Sequence, residues 1–94
     1  MTPLGYVEHA LQVLAERHRR FPQFDLFENL HEQLLYLRSR LLDPHLERAA
    51  LHRISLGAIA VKEFEETDPE LARALKDAHY VAVRTARGLK VDLP

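Results

Sequence analysis

Apolar residues recur along this chain every three or four positions, the period of helices that pack on one face. Leu4, Val7, Leu11 and Leu14 form a first stripe, with Ala10 between them and His18 continuing it as a partly buried ring. Thr2-Pro3 marks its start: a hydroxyl for an orphan backbone N–H, then a proline pre-set for the first helical position. Arg17, Arg19 and Arg20 close it, where cations meet the negative end of the helix dipole. Phe21-Pro22 then breaks the helix, because the residue before proline is pushed out of the helical region. Phe21 and Phe24 are expected to tuck onto the core edge. A second helix opens at Asp25, with Glu28 at the spacing of a capping box. Phe27, Leu30, Leu34, Leu37 and Leu41 make its seam, Leu26, Leu35 and Leu42 widen it, and the helix ends near Leu42.

Asp43-Pro44 repeats the cap-then-proline device and predicts a third helix over 44–66. Leu46, Ala50, Ile54, Gly57, Val61 and Phe64 lie along one face of it, with Leu51, Ala58 and Ile59 on the flanks. Glycine costs about 1 kcal/mol against alanine inside a helix, so Gly57 predicts the close approach of a neighbour. Thr67-Asp68-Pro69-Glu70 carries two overlapping start signals, a Thr67/Glu70 capping box and an Asp68-Pro69 cap, and both place a fourth helix within a residue of Asp68. Its inward stripe is Leu71, Leu75, Ala78 and Ala82, with Val81 and Ala86 beside it. Gly88 is a left-handed stop, after which Leu89 is expected to pack back and the last residues to fray. The fold class that follows is all-α, an antiparallel bundle of about four helices in a single domain over 1–94.

Charge and composition remove several functions. The net charge is −1, without the basic excess of a nucleic-acid binder. Six histidines make it pH-sensitive, reaching −1 + 6 = +5 if all are protonated. There is no cysteine, hence no disulfide and no thiolate chemistry. The first residues lack the basic and apolar regions of a signal peptide, no apolar run reaches membrane-spanning length, and the expected location is cytoplasmic. Catalytic patterns occur only as fragments. Glu63 and Glu66 form an ExxE, but Asp77 has Ala74 three residues before it, so the facing acidic pair of a Mg²⁺ site is missing. Glu28 and His31 make a single ExxH where a di-iron bundle needs two. His31-Glu32 is followed by Leu35 where a zinc protease has its second histidine. No enzyme, cofactor or metal is expected.

Several segments look familiar together: Ala60-Val61-Lys62-Glu63-Phe64, Glu66-Thr67-Asp68-Pro69-Glu70-Leu71, Ala74-Leu75-Lys76-Asp77-Ala78 and Arg87-Gly88-Leu89-Lys90-Val91-Asp92-Leu93-Pro94. With Leu41-Leu42-Asp43 and Met1-Thr2-Pro3 they resemble a family of small bacterial immunity proteins that protect a cell from a type VI-secreted toxin hydrolysing NAD(P)+. The resemblance spans nearly the whole chain and is weakest over 13–30. It implies an all-helical cytoplasmic antitoxin that binds its cognate toxin domain, an NAD(P)+ glycohydrolase, one to one and covers the NAD-binding cleft. The other reading of the chain is a generic helical interaction module or homodimer, and self-association stays open under both.

Occlusion needs affinity, so the candidate residues are those that could bind. Glu63, Glu65, Glu66, Asp68 and Glu70 put five carboxylates in eight residues. A projecting acidic turn could mimic an anionic ligand and speed encounter. Capping already explains Asp68 and Glu70, whereas Glu63, Glu65 and Glu66 sit where the dipole of the third helix disfavours them. Tyr6, Tyr36 and Tyr80 are candidate anchors, since tyrosine is enriched at interfaces. The candidate toxin-binding set is Glu63, Glu65, Glu66, Asp68, Tyr36 and Tyr80, with helix one and the loop 21–24 as the other candidate surface.

Overall fold

Thr2 caps the first helix as its sequence predicts: its Oγ1 accepts a hydrogen bond from the Gly5 N–H at 2.9 Å, and Pro3 opens α1 (Pro3–Arg20). The structure, a computed structural model, describes residues 1–88. The tail, with the expected packing of Leu89, lies outside the described residues. α2 is Leu26–Leu42 and α4 is Pro69–Ala86. His18 meets Phe27 at 5.9 Å, and Arg38 pairs with Glu8 at 3.6 Å. The start of α2 therefore lies beside the end of α1, and the two run antiparallel. Arg17, in the last turn of α1, bonds Asp68 at the start of α4, so α4 is also antiparallel to α1. The all-α antiparallel bundle stands.

The stripe of α4 is where the periodicity puts it, and that of α1 is so in part, since Leu4 and Leu11 are only half-buried. Val7, Ala10, Leu14, Leu71, Leu75, Ala78, Val81 and Ala82 are all buried. α2 buries Phe27, Leu30, Leu34 and Leu37 but leaves Leu35 and Leu42 exposed, so its apolar face is narrower than expected. Asp25 is helical itself and makes no side-chain cap; α2 enters from the loop through backbone bonds alone.

The third helix is not continuous over 44–66. Asp43 Oδ1 accepts from the His45 N–H at 3.0 Å, a local turn that uses up the cap. A 3₁₀-helix follows at Ala49–Arg53, and Ile54 is extended (φ −68°, ψ 130°). Only then does one α-turn form, α3 (Leu56–Ile59), which widens into a π-helical turn at Ala60–Phe64. The break is made by α2: Gln33 Oε1 accepts from the Ser55 N–H at 2.8 Å and Gln33 Nε2 donates to Ser55 Oγ at 3.1 Å. The buried residues are consequently Leu51, Leu56, Ala60 and Phe64, while Leu46 and Val61 of the predicted face are exposed. Gly57 does receive a close neighbour. A Cβ there would lie 2.9 Å from the His79 ring of α4. Gly88 adopts φ 69°, the left-handed stop its position predicts.

Candidate functional site

The acidic turn is built from its backbone outward. The Asp68 N–H donates to the Phe64 carbonyl at 2.8 Å and the Thr67 hydroxyl to the Glu63 carbonyl at 3.1 Å, which closes the π-turn. Asp68 then caps α4, accepting from the Leu71 N–H at 3.2 Å. The Thr67/Glu70 capping box does not form, because the Thr67 hydroxyl faces backward and Glu70 is held by α1. Arg17 reaches across from α1 with Nε 2.7 Å and Nη2 3.2 Å from the two Asp68 oxygens, and Nη2 2.6 Å from Glu70. It also bonds Glu16, which in turn holds Arg20. The hydrogen bonds from Arg17 hold the Asp68 carboxyl below its usual range, against the opposing effect of burial. The same contacts raise Arg17 further above neutrality.

Beside this turn lies an aromatic groove. Phe24 meets Phe27 edge-on at 4.9 Å, and Phe27 stacks on Phe64 at 6.0 Å. Phe27 and Phe64 are buried, while Phe24 is 42% and Phe21 58% exposed. Arg17, Thr67 and Asp68 complete the wall of a cavity of about 290 Å³. Phe24 thus reaches the core edge, whereas Phe21 stands out from it.

The six candidate residues divide between two parts of the surface. Glu63, Glu65, Glu66 and Asp68 share the turn. Glu63 and Glu66 are exposed and make no ion pair with a described residue. Glu65 is paired with Lys76 of α4 at 2.9 Å. Asp68 is only partly accessible and is committed to Arg17 and to its own helix. Tyr36 lies nine residues along α2 from Phe27, about 13 Å at 1.5 Å per residue, and its hydroxyl donates to the Glu47 carbonyl at 2.8 Å. Tyr80 lies twelve residues beyond Asp68, about 18 Å along α4, with Arg84 over its ring at 5.9 Å. Neither tyrosine joins the acidic turn.

Arg17 is what sequence reasoning missed. Its place beside Arg19 and Arg20 in the last turn predicts only a contact with the helix dipole, yet it ties two helices together. An antiparallel α1 and α4 would set the basic end of one against the acidic start of the other, so the signal was in the topology. Among the described residues no group of three or more His, Asp or Glu is placed to hold a metal ion, and no helix is long and apolar enough to cross a membrane.

The geometry has close relatives. The model of the Tsi6 family matches residues 2–84. The immune protein Tsi6 of Pseudomonas aeruginosa is 58% identical over 94 residues, covering all of both chains. The solved structure of Tse6 in complex with Tsi6 contains a chain at TM-score 0.98 and 58% identity, with full coverage of both. A structure of Tsi6 from Pseudomonas aeruginosa superposes at TM-score 0.88 and 58% identity, covering all of this chain and 98% of that one.

Proposed function

We infer the function of this protein from one premise: the chain belongs to the Tsi6 family. It is an immunity protein that binds a cognate toxin of the type VI secretion system. One observation carries this. The chain matches, end to end and at TM-score 0.98, a protein solved in complex with Tse6.

Inhibition proceeds by occlusion without catalysis, from the cytoplasm, with residues 1–94 acting as one unit. The target is an NAD(P)+-hydrolysing toxin, and the surface that covers its NAD-binding cleft is the acidic turn. A cleft that accepts a dinucleotide's phosphates is electropositive, and Glu63 and Glu66 present carboxylates that no described residue neutralises. Glu65 contributes less, since Lys76 offsets it, and Asp68 contributes by holding the turn in place. Tyr36 and Tyr80 belong to a second contact at most, given their distance from the turn. With a Kd of ~1 nM and ~1 μM free inhibitor, about one toxin molecule in a thousand stays active.

Co-expression with the toxin encoded beside it tests this reading. Growth and cellular NAD+ are expected to recover to the level of a toxin-free control. Continued loss of NAD+ with the protein present and folded refutes it for that pair.

A further inference from the structure

Two phenylalanines stand exposed at the end of the bundle that carries the acidic turn, Phe21 at 58% and Phe24 at 42%. Between them and Thr67 opens the groove of about 290 Å³, floored by Phe27 and Phe64. The floor is preformed, because both rings are buried, at 3% and 6%, and stacked 6.0 Å apart. An apolar groove with a fixed aromatic floor is where interface hot spots seat, since a side chain entering it is desolvated against rings that need no ordering. Its volume falls at the lower edge of the roughly 300–1,000 Å³ used by small-molecule sites. A dinucleotide overfills it; one large side chain does not.

Charge around the hole narrows what enters. Arg17 is surrounded by Glu16, Asp68 and Glu70, and Arg20 is held by Glu16. In that network three carboxylates face two guanidiniums, leaving one negative charge in excess. Glu63, one helical turn before Thr67 and linked to it by the 3.1 Å hydrogen bond, and Glu66, directly before Thr67, add two more, of which Lys62 on the same turn offsets one. An apolar hole inside a negative rim selects an apolar side chain with a cation beside it.

We propose that this groove receives a large apolar side chain of the toxin, on a segment that carries lysine or arginine next to it. The proposal rests on the immunity reading and names the anchor within it. The inserted side chain covers Phe21 and Phe24, and the neighbouring cation faces Glu63 and Glu66. A second copy of this chain is the poorer occupant, because its own exposed aromatics sit in the same acidic surroundings and would bring like charges together.

Calorimetric titration with purified Tse6 tests it on the whole chain. Phe24→Ala and Phe21→Ala are expected to weaken binding by about 30-fold and 10-fold, the losses of hot-spot truncations. Thr67→Trp, which fills the hole from an exposed position, is expected to weaken it by about 30-fold or more and keeps the test valid if Phe24→Ala unfolds, while Thr67→Val, which removes the same hydroxyl bond to the Glu63 carbonyl without filling the hole, is expected to keep wild-type affinity. Wild-type affinity in Phe21→Ala and Thr67→Trp overturns the groove while leaving the immunity reading intact. Failure of the wild-type protein to bind Tse6, and equally its own toxin, overturns both. If light scattering instead shows a dimer that Thr67→Trp dissociates, the groove is a self-interface and the proposal falls.

Discussion

Arg17 Nε lies 2.7 Å from Asp68 Oδ2, across 51 residues of chain, and this contact fixes the end of α1 to the start of α4. The Arg17 side chain is 12% exposed and that of Asp68 22%, so the pair is shielded more than a surface bridge. Removing the cation leaves Asp68 partly buried with only its cap bond. Arg17→Met is expected to cost about 2–3 kcal/mol in urea unfolding. Arg17→Lys recovers little, because an ammonium cannot reproduce the fork. Asp68→Asn separates the two jobs of this residue, as asparagine still caps a helix. Since the folded Asp68 carboxyl titrates below its usual value, its contribution is complete above about pH 4 and is lost as pH falls through the depressed value. Asp68→Asn removes that acid-side loss; an unchanged pH profile below 4 would refute the coupling.

The bounds of α1 and α4 were legible because their caps are local. Thr2 reaches Gly5 and Asp68 reaches Leu71, each three residues on. The break in the third helix is not legible locally, because its decisive partner is 22 residues away. Gln33 of α2 satisfies the Ser55 N–H and allows Ile54 to be extended, and no pattern within 44–66 encodes that bond. After that break the buried face runs one residue earlier, through Leu56 and Ala60 in place of Gly57 and Val61, and rejoins the predicted face at Phe64 across the π-turn. For the site, the five clustered carboxylates were legible as charge. That Asp68 and Glu70 belong to Arg17, leaving Glu63 and Glu66 without an ion partner among the described residues, required the helices to be placed.

The Gln33 clamp is itself testable. Its amide makes two bonds to Ser55 and one, at 2.8 Å, to Asn29 Oδ1. Gln33→Ala is expected to destabilise by about 1–2 kcal/mol, mostly by orphaning the half-buried Ser55 N–H. Amide hydrogen exchange should show the loss of protection centred on α3, with α1 nearly unaffected. Equal loosening of all helices would show that the clamp is not what holds this segment.

Gly57 and His79 define a close approach that reverses the usual effect of a helix glycine. Alanine normally gains about 1 kcal/mol over glycine in a helix. Here the added Cβ would meet His79 Cγ and Cδ2 at 2.9 Å, atoms near the root of the ring that cannot swing aside easily. Gly57→Ala is therefore expected to lower stability by about 1–2 kcal/mol, and His79→Ala in the same chain to remove most of that penalty. Burial also holds the His79 imidazole below its ordinary pKa. Its contribution is complete above about pH 6.5 and declines as pH falls towards the depressed value, because the unfolded chain takes up the proton first. His79→Gln should flatten the stability curve just below pH 6.5, which thermal melts at stepped pH would register.

Glu63 and Glu66 differ from Glu65 in one respect that binding kinetics can read. Lys76 already offsets Glu65 at 2.9 Å, whereas the other two carboxylates add their full charge to the surface. Reversing Glu63 and Glu66 to lysine together is expected to weaken binding of the cognate toxin by about tenfold or more, mainly through slower association. The wild-type rate should fall with added salt, and the reversed variant should lose that dependence. Glu65→Lys should slow association less. Asp68→Asn should lower stability yet leave the association rate near wild type, since its charge is spent on Arg17. Stopped-flow measurements at two ionic strengths separate these cases. An association rate that ignores both the charge reversal and the salt would move the encounter surface away from the acidic turn.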